Sequence, residues 1–387
     1  MIKWQKFTIK TAIVTVLSVL LYYSIMPGLI DLSSVLTQKN TEGFHISDFY
    51  SRVAYHYAPK QLNNNVVCIN FESKRRDSLS LLLNILADEY TPKAVGVDFY
   101  FPIEGDNDAQ LINALRRFSD KLVMPQLVCS YIDEETDDEV FIEDYSSYLN
   151  DSLNEALFGV INLETNYTLE VVRDFKPYFP TIMGDTLLNY AVQLAQIADP
   201  QSIELLNKQP LHNGALAINF PFTWLDTIST EEFFNCPNEW HDLIDGRVVI
   251  IGSNTELKDI YQTSLPEPIA GMQIHAYTVN TIMSGSYIKQ SNEGVMKCCS
   301  IIIVIIIILL NCFASEYAST AGNSLMRLVQ FVVIIVCLIV GYAIFYYHSY
   351  YVDFSYCITL IVMSMLAYDI VGAFEWGYVA GANKIKR

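Results

Sequence analysis

Positive charge is scarce in this sequence. Its 24 lysines and arginines face 42 aspartates and glutamates, a formal charge of -18 over 387 residues. Proteins that bind nucleic acid carry a basic footprint, so that class is excluded and no nucleic-acid partner is expected. A disulfide framework is missing too. Of eight cysteines, Cys298, Cys299, Cys312, Cys337 and Cys357 fall in or beside apolar runs, where a free thiol packs as a small apolar side chain. Cys68, Cys129 and Cys236 allow one bridge at most, and no C-x-x-C or Cys/His spacing suggests zinc. Cys68 and Cys129 lie in candidate strands and are expected as buried thiols. There is no P-loop, no G-x-G-x-x-G, no G-x-S-x-G elbow and no kinase or cyclase signature. Enzymatic activity and a cofactor are therefore not expected.

Apolar content is abundant, at 52% hydrophobic residues and a mean hydropathy of +0.26. A wholly soluble chain rarely combines this with so much acid, and the two properties are segregated. Between Asp31 and Met296 lie 16 basic and 38 acidic residues, net -22, while the remainder is +4. The remainder holds four apolar runs, near Phe7–Ile30, Cys298–Phe313, Leu328–Tyr346 and Tyr356–Phe374, which read as helices crossing a lipid bilayer. A cleaved signal peptide would show a shorter apolar core and small residues after it. Tyr22-Tyr23-Ser24-Ile25-Met26-Pro27-Gly28 follows instead, so an uncleaved anchor is expected.

Orientation follows from the basic flanks, because positive side chains stay cytoplasmic. Lys3, Lys6 and Lys10 precede the first span, and Lys384, Lys386 and Arg387 follow the fourth. An even number of spans puts both ends on the cytoplasmic side and the acidic region outside; Lys297 is the one dissenter. Trp376 and Tyr378 stand where an interfacial aromatic belt is expected. The expected organisation is an anchor at 1–30, an extracytoplasmic domain at 31–296, three helices at 297–375 and a basic tail at 376–387.

The outer region reads as an α/β domain with a mainly parallel central sheet. A helix is expected over Ser47–His56, either a strain-bearing connector or a spacer. The strand Val66–Phe71 precedes a buried helical face of Leu79, Leu81, Leu82, Leu83, Ile85 and Leu86. The run Ala94–Phe101 precedes a second, with Leu111, Ile112, Leu115 and Phe118, and Leu122–Val128 forms a third strand. Alternation of this kind builds a sheet covered on both faces. Ala215–Phe220 and Val248–Gly252, with a helix over Gly271–Met283, are expected to add to the same sheet. The acidic stretch Ile132–Tyr145 lacks the spacing of an EF-hand and reads as a solvated loop, with a calcium site as the alternative.

Two constellations could carry chemistry. Asp98 ends a strongly apolar strand, where open α/β sheets bind ligands. Asp106 and Asp108 follow with Glu104, and paired carboxylates there could hold a divalent metal or act as acid and base. Asp106 or Asp108 could equally cap the next helix. In the second, Gly252-Ser253-Asn254 forms a small polar loop, with Asp259 and His275 beyond it; His275 is either a base partnered by Asp259 or a structural histidine. In the membrane, Asp369 could pair with Arg327 from the same side and couple helices, merely reach the cytoplasmic interface, or contact a partner helix.

These features, in this order, resemble the type-2 CHASE domain, an extracytoplasmic sensory domain associated with bacterial cyclases and histidine kinases. The resemblance rests on the N-terminal anchor, Val66–Phe71, Pro92-Lys93-Ala94-Val95-Gly96-Val97-Asp98, Asp108 and Leu111. It continues through Ala217-Ile218-Asn219-Phe220, Gly246–Gly252, Asp259, Gly271, His275-Ala276 and the closely spaced C-terminal spans. It implies a sensor in a bacterial cytoplasmic (inner) membrane, with an unidentified extracytoplasmic ligand. After the first strand the family has acidic residues and a Trp-Pro-rich turn, whereas this chain reads Asn70-Phe71-Glu72-Ser73-Lys74-Arg75-Arg76. The tail after the fourth span is too short for an output domain, so the signal is expected to reach a separate effector. The alternative is a structural or docking subunit of a membrane complex. Self-association is compatible with both.

Overall fold

The computed structural model describes residues 3–37, 46–60, 63–73, 75–132, 139–145, 149, 152–153, 155–163, 171–212, 214–317 and 320–385. They fall into two compact units. One comprises Met1–Tyr50 with Lys289–Arg387, the other Ser51–Ile288. Helix α1 (Lys3–Thr37) belongs to the first, and α2 (Ile46–Tyr57) carries the chain into the second.

The second unit begins β1 (Val66–Asn70), α3 (Arg76–Glu89), β2 (Ala94–Val97), α4 (Asp108–Arg116), β3 (Leu122–Ile132), β4 (Glu139–Tyr145) and β5 (Leu157–Val160). Short strands β6 (Asp174–Phe175), β7 (Tyr178–Pro180) and β8 (Thr186–Leu188) lead to helices α5 (Tyr190–Ala198) and α6 (Pro200–Leu206). Then come β9 (Leu216–Ala217), β10 (Asp226–Ser229), α7 (Thr230–Asn235), α8 (His241–Ile244) and β11 (Val248–Gly252). The hairpin β12 (Ile260–Tyr261) and β13 (Ile269–Ala270) feeds α9 (Gly271–Ser284).

The central sheet has the order β10-β1-β11-β2-β3-β4, with β5 also on β3. All its pairings are parallel except β3–β4. β1, β2 and β11 are buried at every position, as strands covered on both faces must be, and this is why they read as continuous apolar runs. Side-chain alternation sorts them into two cores. Val67, Ile69, Val95, Val97, Val249 and Ile251 meet α3 and α4, whose Leu79, Leu82, Leu83, Leu86, Leu111 and Leu115 recur at helical spacing. Val66, Cys68, Ala94, Val248 and Ile250 meet α5 and α9. β11, late in the chain, inserts between β1 and β2, so strands from both halves share one sheet.

Three expectations are corrected. Ala215–Phe220 is not a strand of this sheet: only Leu216–Ala217 is extended, paired antiparallel with β6. Beyond it the backbone finds other partners, Ile218 N–H donating to Arg173 O at 2.8 Å and Asn219 N–H to Thr281 Oγ1 at 3.0 Å. Second, the acidic stretch 132–145 is not all loop. Glu139–Tyr145 pairs with β3 as a hairpin in the register Ile132↔Glu139, while Asp133–Asp138 lie outside the described residues. Third, Cys68 is buried but Cys129 is exposed, because β3 leaves the core before it reaches Cys129.

In the helical unit, β14 (Lys289–Gln290), α10 (Glu293–Tyr317), α11 (Thr320–His348), β15 (Tyr350–Tyr351) and α12 (Ser355–Ile385) join α1. Among the described residues, four stretches are long and apolar enough to cross a membrane: Phe7–Ser24, Glu293–Ala314, Leu325–His348 and Ser355–Glu375. They pack through Val14, Val304, Ile308, Cys357 and Ile361. Lys10 bonds Glu375 at 2.7 Å, setting the start of the first span beside the end of the fourth. Lys297, on the outer flank by charge, pairs with Glu293 at 2.5 Å one turn away, which offsets its charge locally. The side chains of Trp376 and Tyr378 lie outside the described ones.

Candidate functional site

Asp98 follows β2 directly and extends its ladder, its N–H donating to Ile251 O at 2.8 Å. Ala94 and Gly96 face α5 and α9, so alternation turns the half-buried Asp98 to that same covered face. Gly96 is required there by α5: a Cβ would overlap the Tyr190 hydroxyl and reach Leu194 at 3.0 Å. Gly159 of β5 serves the same helix, since its Cβ would lie 2.5 Å from Tyr190 Cα. Tyr190 is thus seated on two glycines. It is fully buried, its hydroxyl has no hydrogen-bond partner among the described residues, and its ring meets His275 edge-on at 5.2 Å.

Asp259 arrives from the opposite direction. A 3-10 turn (Leu257–Asp259) and the β12–β13 hairpin fold back so that Asp259 sits at the N-terminus of α9. The Gly271 N–H donates to its carboxylate, as does the Tyr261 hydroxyl. A Cβ on Gly271 would stand 2.6 Å from Asp259 Oδ1, and one on Gly252 would meet Met272 at 3.0 Å. Glycine at both positions lets α9 lie close on the sheet.

Electrostatics are unusual here. Burial, then the field of Asp259, pushes the Asp98 carboxyl up to about 7. Burial also raises Asp259 to about 6, against the lowering effect of Tyr261 and Gly271, with Glu256 adding to the rise. An acid that disfavours the charge of its neighbour is the expected outcome of like groups in a desolvated site. Burial lowers His275 to about 4 and holds it neutral, so it is not a base poised near neutrality.

Other candidates lie elsewhere. Asp108 pairs with Arg76 at 2.5 Å and accepts from Gly105 N–H at 2.8 Å, pinning the loop after β2, while Asp106 is exposed. Neither caps α4. The cap position is Asn107, with a left-handed φ of 69° and no side-chain cap bond. The Ser253–Asn254 loop bonds inward, Asn254 N–H donating to Asn70 Oδ1 at 2.9 Å and Thr255 N–H to Ser253 Oγ at 3.3 Å. Among the described residues no three His, Cys, Asp or Glu side chains gather as a metal cluster. In the helical unit, one Arg327 nitrogen donates to both Asp369 oxygens at 2.6 and 2.8 Å, and Asn311, Gln330 and Tyr368 line a small polar cleft beside them.

Tyr190 and Tyr261 were not legible as site residues, since tyrosine is common in this chain. Gly96 left a trace: an isolated glycine inside an apolar strand signals close approach of another element.

Among the described residues the chain thus combines an α/β domain, its mainly parallel sheet acidic at the carboxyl edge, with four helices long and apolar enough to cross a membrane. Residues 70–315 match the CHASE2 domain, and the chain belongs to that family. Comparison with curated proteins and with solved structures gives no match.

Proposed function

We propose that the chain is a non-enzymatic sensor whose α/β domain lies outside the cytoplasmic membrane and whose helices pass the signal to a separate effector. The observation that supports this best is how the helical unit holds the two points where the chain leaves for the sensor unit and returns. The outgoing point is Tyr50, fully buried, with Tyr342, Phe345 and Tyr351 at 6.1, 6.1 and 6.2 Å. Its hydroxyl fills the space a side chain on Gly341 would need. The returning point is Lys289, whose strand pairs β14 with β15, Lys289 N–H donating to Ser349 O and Ser291 N–H to Tyr351 O, both at 2.9 Å. Both ends are fastened to the last turns of α11 and the turn that follows it. Displacement at either end bears on those helices, whose Arg327–Asp369 pair offers polar contacts to a partner helix.

Cross-linking followed by purification from gently solubilised membranes tests the proposal. A specific effector should be recovered, and Asp369→Asn should weaken its recovery. A chain recovered alone under all conditions overturns the reading.

One observation favours the second reading, a docking subunit. On one face of the β3–β4 hairpin, Tyr131 and Ile142 are exposed along with Cys129. Exposed apolar patches mark interaction surfaces. If this face docks a complex, Tyr131→Asp should release the partner while leaving unfolding unchanged.

A further inference from the structure

We propose that the Asp98–Asp259 pair is a proton-binding site, the stimulus site of the sensor just described, on which reading this inference rests for its consequence though not for its chemistry. Asp98 bonds through its N–H to Ile251 O, beside Gly252, which lies against Met272 at the start of α9, and Asp259 lies against Gly271 of the same helix, so the two acids come to one corner from β2 and from the turn before α9. Asp259 is held by Gly271 N–H and the Tyr261 hydroxyl. No hydrogen bond to the Asp98 carboxylate is found among the described residues, and the charged group acting on it is Asp259. An acid pair in such a place must recruit a cation or share a proton.

The independent observation is Tyr190. Its hydroxyl is fully buried, lies over Gly96 two residues before Asp98 on the same face, and has no partner among the described residues. Asp98 also acts on it, adding to the burial that holds the phenol neutral. The remaining groups facing the corner are neutral or acidic. They are Cys68 of β1, kept as a thiol by burial, His275 of α9 and Glu256 of the turn; Lys258 beside it is exposed. Among the described residues no third acidic, histidine or cysteine side chain gathers with the two carboxylates as a metal cluster. A proton needs no more. Taken from bulk water, it forms an O–H on Asp98, turning a group that only accepts into a donor. Asp259 acts electrostatically on Asp98, and Asp98 on the Tyr190 hydroxyl, and both Asp259 and Tyr190 have oxygens that can accept. The same event removes negative charge facing the N-terminus of α9, the helix that leads to Lys289 and the helical unit.

The test is a pH titration of the full chain in lipid nanodiscs by infrared difference spectroscopy, following the carbonyl stretch of a protonated carboxyl. The band should titrate with a midpoint near 7. It should vanish in Asp98→Asn and move to lower pH in Asp259→Asn. A band lost below about pH 5, as for ordinary carboxylates, overturns the proposal, as does a band indifferent to both substitutions. Added calcium or magnesium should leave the midpoint in place; a large downward shift would make the ligand a metal cation and also overturn it. The wild-type titration stands even if a variant fails to fold. It needs no effector, so its failure would leave the relay intact, and failure to recover an effector would leave the titration intact.

Discussion

At the scale of single residues, Asp98 is where local rules conflict most. A carboxylate at the end of an apolar strand is suited to a ligand, and its position at the sheet's carboxyl edge could be read from the run Ala94–Phe101. Its partner could not, because nothing in the residues between 98 and 259 announces that a hairpin will return Asp259 to the same corner. The raised carboxyl has a thermodynamic consequence with a definite sign. Its folded value, about 7, lies above that of an unfolded aspartate. Stabilisation from the protonated form is therefore complete below the unfolded value and lost as pH rises through the folded one. The unfolding temperature of the wild type should fall relative to Asp98→Asn as pH rises from about 4 to about 7, measured by intrinsic fluorescence in detergent. Equal slopes for the two proteins would contradict the shift. The glycine beneath Tyr190 gives a second prediction. Gly96→Ala should cost about 1–3 kcal/mol by overpacking. Tyr190→Phe alone should be neutral or stabilising by up to about 1 kcal/mol, because it deletes a buried hydroxyl that has no partner among the described residues. Combining them should recover part of the Gly96→Ala loss; strict additivity in denaturant titrations would refute the contact.

At the scale of elements, the sequence was legible wherever burial was two-sided or periodic. β1, β2, β11 and the leucine faces of α3 and α4 fall where apolar runs and helical spacing put them. Ala215–Phe220 looked the same to that test and is not in the sheet, since a short apolar run cannot show which backbone groups will bond to it. There Arg173 O and Thr281 Oγ1 take the donors a ladder would have used. The true edge partner of β1, Asp226–Ser229, has one fully buried side chain and so gave little signal. The same limit applies to α2: its helical spacing was visible, but the seating of Tyr50 depends on a glycine nearly 300 residues away. Gly341→Val should expel the Tyr50 ring. The expected outcome is lower thermal stability of the helical unit and, in cells, a response to stimulus that is lost while membrane insertion persists. A variant that signals normally would show that this seat carries nothing.

At the scale of the whole molecule, the charge imbalance becomes a map of sides. The acid-rich region is the one expected to face away from the cytoplasm, and the basic termini are expected within it. Alkaline phosphatase joined after Ile288 should therefore be active, and joined after Arg387 inactive; the reverse pattern would invert the assignment. The fastening of Tyr50 and Lys289 to the end of α11 and the turn after it bears on how such a chain can be rebuilt. Everything from Ser51 to Ile288 is an insert held between two pins that belong to the membrane part. For an engineer, the specification of a replacement domain is then geometric: its ends must match the spacing of the pins, whatever its sequence between them. Chimaeras cut at these two residues should insert and respond to the new domain's stimulus, whereas cuts a few residues further out would sever the pins themselves.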